Sequence, residues 1–233
     1  MFTCSAECAQ WAQAVATIFL GLVAVFVAVF QDAMRAWIMR PKLDVSIDVK
    51  PPDCFKVPCR GPSGQGQELV ADSYQLSLRV VNNGGQRAEL VEVLASKLER
   101  QQPDDSFKEV DSFFPTNLVW AGPKGVPFPA ISPDMPKRWN LLHIIDPQKR
   151  HVWPTEDRQW SDVLPAKTIL SFDVDLKPNT RSYLLPPGRY RLLVAVAAAN
   201  AKPVWKTVEI SLTGDWYDDE QTMFSKGVSV RIL

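Results

Sequence analysis

The sequence predicts a mainly β protein: a β-sandwich with long loops, preceded by one N-terminal transmembrane α-helix. The first observation is the uncharged run from Trp11 to Phe30, which matches the roughly 20 apolar residues that a helix needs to cross a bilayer. The second is the alternation of apolar and polar residues in several later segments, which is typical of strands with one buried face. The third is the presence of 19 prolines and 11 glycines, which indicates many turns.

The composition bounds the class of protein. The chain has 233 residues, 46% of them hydrophobic, and a formal net charge of +0, so no global field would recruit nucleic acid. We expect three segments: a short non-cytoplasmic tail over residues 1–10, the transmembrane helix with its juxtamembrane extension over residues 11–40, and one β-sandwich domain over residues 41–233.

The apolar run is interpreted as an uncleaved signal anchor. A cleaved signal peptide needs a basic n-region and a small-residue cleavage site, but residues 1–10 contain no Lys or Arg and no A-x-A site follows the run. The basic residues Arg35, Arg40 and Lys42 all lie on the C-terminal flank. The positive-inside rule therefore predicts an inner (plasma) membrane protein with its N-terminus outside and its C-terminal domain in the cytoplasm.

Small residues recur along the predicted helix in steps of three and four, which places them on one stripe: Ala14, Thr17, Gly21, Ala24 and Ala28. Membrane helices associate through small residues that let their backbones approach closely. The stripe thus predicts either self-association or docking on a partner's helix. The alternative is a lone anchor, because Ala and Gly are common in such helices.

Cysteines and loop residues follow the first predicted strand, whose apolar residues alternate from Leu43 to Val49. Residues 51–68 read as a loop that contains Cys54 and Cys59. A zinc site would need two more ligands, and Cys4 and Cys8 are expected across the membrane, where they could pair with each other or across an oligomer. We expect reduced thiols in a cytoplasmic domain; a reversed topology would instead allow a disulfide between positions 54 and 59.

The remaining chain alternates between predicted strands and long irregular segments. Residues 101–136 and 146–166 are expected to be loops because of their proline content, with a short helix over residues 155–163. An N-N-G-G turn at residues 82–85 is expected to use positive φ angles. Strands are predicted at residues 74–80, 88–100, 137–145, 169–176, 188–199, 204–212 and 228–232.

Two motifs resemble those of immunoglobulin-like and fibronectin-like sandwiches. One is the strand–turn–strand step around Asn82-Asn83-Gly84-Gly85, and the other is the sequence L-L-P-P-G-R-Y at residues 184–190, in which Tyr190 opens a late strand. The longer text resembles uncharacterised bacterial proteins with one N-terminal anchor and an immunoglobulin-like sandwich. This resemblance covers residues 70–100 and 184–232, and it implies a tyrosine that bonds back across a corner but no catalytic residues.

The sequence offers little for catalysis. It contains no phosphate-binding Gly-rich loop followed by a helix, no G-x-S-x-G, no H-E-x-x-H and no C-x-x-C. His143 lies in an apolar strand and is expected to be a packed or edge residue, whereas His151 is expected to face solvent. The acidic cluster Asp215, Asp218, Asp219 and Glu220 could bind a cation or form a solvated face or helix cap. We therefore predict no catalytic, cofactor-binding or metal-binding residues, no cofactor and no small-molecule substrate.

The candidate partner-binding residues are the aromatic and basic residues of the predicted long loops and their borders, because aromatic residues and Arg dominate binding hot spots. Apolar side chains under long loops also form small satellite cores, which is the structural alternative. The residues selected are Trp120, Trp139, Arg150, Trp153 and Trp160.

Three function classes follow. The leading one is a non-enzymatic, membrane-anchored binding or scaffold module that engages a protein partner or itself, without nucleic acid. The second is a membrane-perturbing effector or sensor, in which binding to the soluble domain reorganises the helices, as in bacterial defence effectors of this layout. The third is an enzyme that uses the loops.

Overall fold

The computed structural model describes residues 6–63, 66–122, 128–152 and 163–233. The chain divides into two compact units with a boundary between Arg40 and Pro41. The first unit contains one long helix, and the second contains β-strands and short helical turns.

Helix α1 extends over Ala6–Met39 and has 34 residues. Its stretch Gln10–Gln31 has 22 residues, is apolar enough to cross a membrane, and contains no buried residue. At a rise of 1.5 Å per residue this stretch is about 33 Å long, close to the ~30 Å hydrocarbon core of a bilayer. The helix ends just before Pro41, which disfavours helical backbone in the residue that precedes it. One N-terminal apolar helix is thus confirmed.

Twelve strands are found among the described residues: β1 (Leu43–Ser46), β2 (Cys54–Ser63), β3 (Gly66–Asn82), β4 (Glu92–Gln101), β5 (Phe107–Glu109), β6 (Thr116–Asn117), β7 (Pro136–Ile145), β8 (Leu170–Phe172), β9 (Leu184–Leu185), β10 (Gly188–Ala198), β11 (Ala201–Leu212) and β12 (Val228–Ile232). Short helical turns are found at Pro147–Val152, Glu220–Thr222 and Met223–Gly227.

The strands form two antiparallel sheets. Sheet one has the order β1-β3-β7-β8-β9, with β2 also paired to β3. Sheet two has the order β12-β11-β10-β4-β5, with β6 also paired to β4. Apolar residues of both sheets belong to one hydrophobic core. The prediction of a mainly β fold with two antiparallel sheets is confirmed.

Alternation along the strands explains the core. On β3 the side chains of Tyr74, Leu76, Leu78 and Val80 are fully buried, and the residues between them point to the other face. The same period holds on β10, where Tyr190 is buried and its hydroxyl donates to the carbonyl oxygen of Pro186 at 2.8 Å. The backward bond expected of this tyrosine is therefore present.

The loop predicted over residues 51–68 is wrong, because β2 and the start of β3 occupy most of it. Within the described part of the chain, strand β2 pairs only with β3, from Cys54 opposite Leu76 to Ser63 opposite Gly66. Its composition does not indicate a strand, because it contains Pro58 and proline is rare within sheets. An edge strand tolerates proline because one row of its N–H groups has no strand partner.

The turn after β3 also differs from its predicted mechanism. Positive φ angles were expected there, but none of residues 82–85 has one. The turn is instead held by the buried Asn82 side chain, whose oxygen accepts from the backbone N–H of Gly84 at 3.0 Å. Its amide nitrogen donates to the carbonyl oxygens of Gln86 at 2.6 Å and Ile131 at 3.1 Å.

The segment over residues 101–136 is less irregular than predicted, because it contributes β5 and β6. After β6, Leu118 donates to the carbonyl of Val93 in sheet two, and Val119 donates to the carbonyl of Asp173 beside sheet one. The segment thus crosses between the sheets at one edge. The helix predicted over residues 155–163 lies almost wholly outside the described residues.

Cys54 is a free, buried thiol. Burial, followed by the neighbouring Asp53 carboxylate, raises the pKa of this thiol to about 12. Positions 54 and 59 lie on the same strand, so their Cα atoms are about 16 Å apart at ~3.3 Å per residue, too far for a disulfide. The disulfide considered for a reversed topology is therefore excluded by the strand geometry.

Candidate anion-binding site

Charged side chains converge on the outer face of sheet two. Strands β10 and β11 point Tyr190 and Ile210 into the core, so the residues beside them point outward. The register places Arg191 opposite Glu209 on β11, and Glu209 opposite Arg231 on β12. Directly opposed residues on antiparallel strands have Cβ atoms about 5 Å apart, so this register brings the charges together.

Three arginines share the Glu209 carboxylate, and we call Arg189, Arg191, Arg231 and Glu209 the arginine cluster. Glu209 is only 5% exposed. Its Oε1 accepts from Arg189 Nη2 at 2.7 Å and from Arg231 Nη2 at 2.6 Å and Nε at 2.9 Å. Its Oε2 accepts from Arg191 Nε at 3.2 Å. Bonds between charged groups of this kind are stronger than neutral ones.

The cluster carries excess positive charge. Burial raises the pKa of Glu209, but the hydrogen bonds from Arg189, Arg231 and Arg191 outweigh this effect and lower the pKa to about 2. The carboxylate is therefore ionised at neutral pH. The three arginines and Glu209 alone sum to +2, but Glu99 lies opposite Arg191 on β4 and lowers the excess charge on this face.

The arginines retain donors for a further anion. Each guanidinium has five N–H donors, so three provide 15, of which Glu209 accepts four. Arg191 is also fixed by stacking, with its guanidinium carbon 3.8 Å from the centroid of the Phe107 ring. Side chains that are already fixed lose less conformational entropy when they bind a ligand.

Two open cavities lie at the end of sheet two, and Arg189 of the cluster lines one of them. Arg189 and Arg100 line a cavity of about 530 Å³ together with Gln101, Asp105 and other residues of the β4–β5 turn. Arg100 also lines a second cavity of about 470 Å³, and its guanidinium lies 5.8 Å from the centroid of the Tyr190 ring. Two guanidinium groups and the Asp105 carboxylate therefore share the first cavity, whereas no member of the cluster lines the second.

The predicted partner-binding residues have other surroundings. Trp139 is a core residue, 1% exposed. Arg150 is buried, and its guanidinium donates to the carbonyl oxygens of Leu164, at 3.1 Å, and Lys167. Trp120 is half-buried, with Lys137 Nζ 4.9 Å from the centroid of its indole ring. Trp153 and Trp160 lie outside the described residues. Of the described members, only Trp120 retains accessible surface.

The small residues that were predicted to share one face of the helix do so in α1. At 100° per residue, Ala14, Thr17, Gly21, Ala24 and Ala28 fall within an arc of about 80°. The Thr17 hydroxyl donates to the carbonyl oxygen of Gln13 at 2.8 Å. A Cβ atom added at Gly21 would meet no other atom within 4 Å, so the stripe is open along its middle turn.

His143 has a carboxylate neighbour that the sequence did not indicate. Its Nδ1 lies 2.6 Å from Asp173 Oδ1, and Gln75 Nε2 donates to Asp173 Oδ2 at 2.6 Å. Ser171 lies opposite His143 in the register, but it is 1% exposed. A nucleophile must meet its substrate, so this buried hydroxyl offers no accessible reaction centre.

The acidic cluster near residue 218 is used by the fold. Asp219 caps a helical turn by accepting from the backbone N–H of Thr222 at 2.7 Å, and Glu220 accepts from the backbone N–H of Lys56 at 2.8 Å. Asp218 accepts from the indole N–H of Trp216 at 2.9 Å. Within the described ranges, no group of three or more His, Cys, Asp or Glu side chains is placed to hold a metal ion.

The arginine cluster was missed because its members are far apart in sequence. The available signal was the outward position of Arg189 and Arg191 on one predicted strand and of Glu209 and Arg231 on the next two. Comparisons with protein-family models, curated proteins and solved structures gave no match to this chain.

Proposed function

We propose that this chain is a non-enzymatic, single-pass membrane protein whose β unit is a cytoplasmic binding module for an acidic segment of a protein partner. The observation that carries the proposal is the arginine cluster, in which three guanidinium groups share one carboxylate and retain unused donors. Anchorage is supported by the unburied 22-residue apolar stretch of α1. The orientation is supported by the basic residues on the C-terminal flank alone.

The chemistry of the cluster favours carboxylate or phosphate groups. Guanidinium groups bind such anions through paired N–H donors, and the donors here are held in place by Glu209 and Phe107. A hydrogen bond to a charged group contributes roughly 1.5–3 kcal/mol. Two such contacts on an acidic segment would therefore change the affinity by about a hundredfold or more.

The fold is proposed to be an immunoglobulin-like sandwich. The bond from the Tyr190 hydroxyl to the Pro186 carbonyl and the core shared by two antiparallel sheets support this proposal. The twelve described strands exceed the seven to nine of the standard domain. An experimental structure with Greek-key connections between the sheets would support it, and a structure without them would refute it.

The binding test uses the full chain in nanodiscs of zwitterionic lipid and a fluorescent hexa-aspartate peptide, followed by anisotropy. The variant Arg189→Gln, Arg231→Gln removes two positive charges and leaves Glu209 paired with Arg191. We expect it to weaken binding by at least tenfold, and we expect added salt to weaken binding to the unmodified chain.

The matched control is Lys50→Gln, Lys202→Gln, which removes the same charge from two exposed lysines outside the cluster. It should bind the peptide within about twofold of the unmodified chain, because screened surface charges contribute little. Equal weakening in both variants would refute a specific site, as would the lack of any salt-sensitive binding.

A second candidate, the membrane-perturbing effector, is favoured by the open stripe around Gly21. Helices that pack through such a stripe would couple the β units of several copies. An effector function predicts toxicity or membrane depolarisation when a ligand or protein binds the β unit, and it predicts the loss of both effects in Gly21→Leu. A scaffold expects no toxicity in either form.

A further inference from the structure

Residues of both sheets line the second of the two cavities, of about 470 Å³, and we call it the end cavity. Sheet two contributes Arg100 on β4 and Tyr190 on β10, and sheet one contributes Leu184 and Leu185 on β9. The volume lies within the range of about 300–1,000 Å³ that is usual for the sites of small-molecule ligands. The end cavity is therefore of a size that admits a small molecule.

Arg100 lies on the core-facing side of β4, near the end of that strand. The register places Arg100 opposite Tyr190 and Leu98 opposite Leu192, and the other three side chains are buried. Residues two apart on a strand share a face, so the exposed Arg100 continues the apolar inward side of the strand at its open end. Its guanidinium carbon lies 5.8 Å from the centroid of the Tyr190 ring. Arg191 and the rest of the arginine cluster lie on the opposite face of the sheet.

Arg100 forms no ion pair with a described residue. The nearby carboxylates of Glu99 and Glu109 pair with Lys97 Nζ at 3.1 and 3.0 Å, and none of the described residues that line the end cavity is acidic. Arg181 adds a second guanidinium group to the lining. A guanidinium group has five N–H donors and no acceptor, and it matches the geometry of carboxylate and phosphate groups. The charged part of the lining therefore favours an anion.

Three hydroxyl groups line the same cavity, from Ser112, Thr180 and Ser182. Ser182 is only 7% exposed, and its oxygen accepts from the Thr180 hydroxyl at 3.1 Å. The turn that carries these two residues is closed by the Arg181 N–H, which donates to the carbonyl of Pro178 at 2.9 Å. Arg181 adopts a φ of 54°, a left-handed conformation that costs free energy and that is concentrated at functional sites.

Apolar side chains form the remaining walls of the end cavity. Val110, Leu184, Leu185 and Pro186 line it beside Tyr190. The Tyr190 ring is fixed, because its hydroxyl donates to the Pro186 carbonyl at 2.8 Å. An apolar group that leaves water for these walls gains free energy in proportion to the area it buries. The walls therefore favour a ligand with an apolar body.

We infer that the end cavity binds a small organic anion, with its carboxylate or phosphate group on Arg100 and its apolar body against Leu184, Leu185 and Tyr190. Apolar walls with a few placed polar groups are typical of small-molecule sites. The site is separate from the arginine cluster, because no member of that cluster lines it. An anion without an apolar body, or an apolar body without a charge, would use only part of the lining.

The test measures ligand binding to the full chain in nanodiscs of zwitterionic lipid by saturation-transfer NMR, with empty nanodiscs as the blank. The probe is naphthoate, which joins a carboxylate to an apolar ring system. Naphthalenemethanol has the same rings without the charge, and acetate has the charge without the rings. Each probe is titrated to obtain its dissociation constant.

Two variants alter the end cavity at exposed positions. Arg100→Gln removes the charge, and Ser112→Trp fills the cavity with a large side chain. The matched control is Arg87→Gln, which removes the same charge from an exposed arginine before the other end of β4. The cluster variant Arg189→Gln, Arg231→Gln shows whether the arginine cluster holds the probe instead.

We expect naphthoate to bind the unmodified chain about tenfold or more tightly than either partial probe. A hydrogen bond between charged groups accounts for about tenfold or more in affinity, so Arg100→Gln should weaken naphthoate binding by that factor. Ser112→Trp should abolish binding, and Arg87→Gln should change it by less than about twofold.

Four results would overturn the inference. They are no binding of naphthoate above the blank, equal affinity for naphthoate and naphthalenemethanol, unchanged binding in Arg100→Gln or Ser112→Trp, and equal weakening in Arg100→Gln and Arg87→Gln. Loss of binding in the cluster variant but not in Arg100→Gln is one form of the third result, and it would place naphthoate on the arginine cluster. None of these results bears on the hexa-aspartate test, so the two sites stand or fall separately.

Discussion

Replacing Glu209 by Gln isolates the charge that holds the arginine cluster together. Gln keeps the volume of the side chain and one acceptor oxygen, but it leaves Arg189, Arg191 and Arg231 without a shared negative charge. A pKa of about 2 in place of 4.5 sets an upper limit of about 3 kcal/mol of folding free energy at neutral pH, and solvent screening of the exposed arginines reduces it to roughly 2 kcal/mol. We therefore expect Glu209→Gln to lower the free energy of unfolding by roughly 2 kcal/mol, since the carboxylate is buried but its arginine partners are partly exposed.

The sign of the pH dependence follows from the lowered pKa. The folded pKa lies below the unfolded value, so the stabilisation is complete above about pH 4.5 and is lost as the pH falls towards 2. Urea unfolding of the full chain in detergent, followed by tryptophan emission at pH 7 and pH 3, measures both effects. The difference between the unmodified chain and Glu209→Gln should shrink markedly at pH 3.

The control is Glu109→Gln, which breaks only an exposed pair with Lys97 and should cost less than about 1 kcal/mol. The reasoning is refuted if Glu209→Gln also costs less than about 1 kcal/mol at pH 7. It is equally refuted if the difference between Glu209→Gln and the unmodified chain is the same at pH 3 as at pH 7.

The other predictions concern the core, the turn and the helix. Tyr190→Phe removes one buried hydrogen bond and should lower the free energy of unfolding by about 1 kcal/mol; no change would show that the bond is unimportant. Asn82→Ala leaves several backbone groups unpaired and should lower the free energy of unfolding by about 3 kcal/mol or more in the same urea titration. A smaller loss than that of Tyr190→Phe would contradict this prediction. The Cys54 thiol, with its pKa raised to about 12 by burial, should react with iodoacetamide only in urea, as peptide mass mapping would show; rapid native labelling would contradict this. The double variant Gly21→Leu, Ala24→Leu should convert an oligomer to a monomer in mass photometry if the stripe is an assembly face, and unchanged assembly would exclude it.

The alternation of apolar and polar residues along the sequence predicted the strands that have one buried face. The runs around Leu76, Leu192 and Ile210 alternate because one side of each strand packs into the core, and these strands were found. Strand β2 was missed because its prolines and glycine resemble a loop, and only its position at an edge of sheet one makes them tolerable. The helix α1 was evident because its uncharged run is as long as a bilayer-spanning helix needs to be.

The candidate site could not be predicted because it depends on strand register. Glu209 is 18 residues from Arg191 and 22 from Arg231, and a shift of one residue in either pairing would turn the charges to opposite faces. Loop composition was also a poor guide to exposure. Trp139 lies in the core and Arg150 is buried against backbone carbonyls, because long segments here pack on the sheets.

The measurement that tests the central claim most directly is the accessibility of one cysteine in the β unit of the full chain, expressed in a bacterial host. Pro103→Cys, in a background without other cysteines, is treated with a membrane-impermeant maleimide in intact and in permeabilised cells. An uncleaved anchor with a cytoplasmic binding module predicts labelling only after permeabilisation, in protein that stays with alkaline-washed membranes. Labelling in intact cells would contradict the orientation, and release from the washed membranes would contradict the anchor.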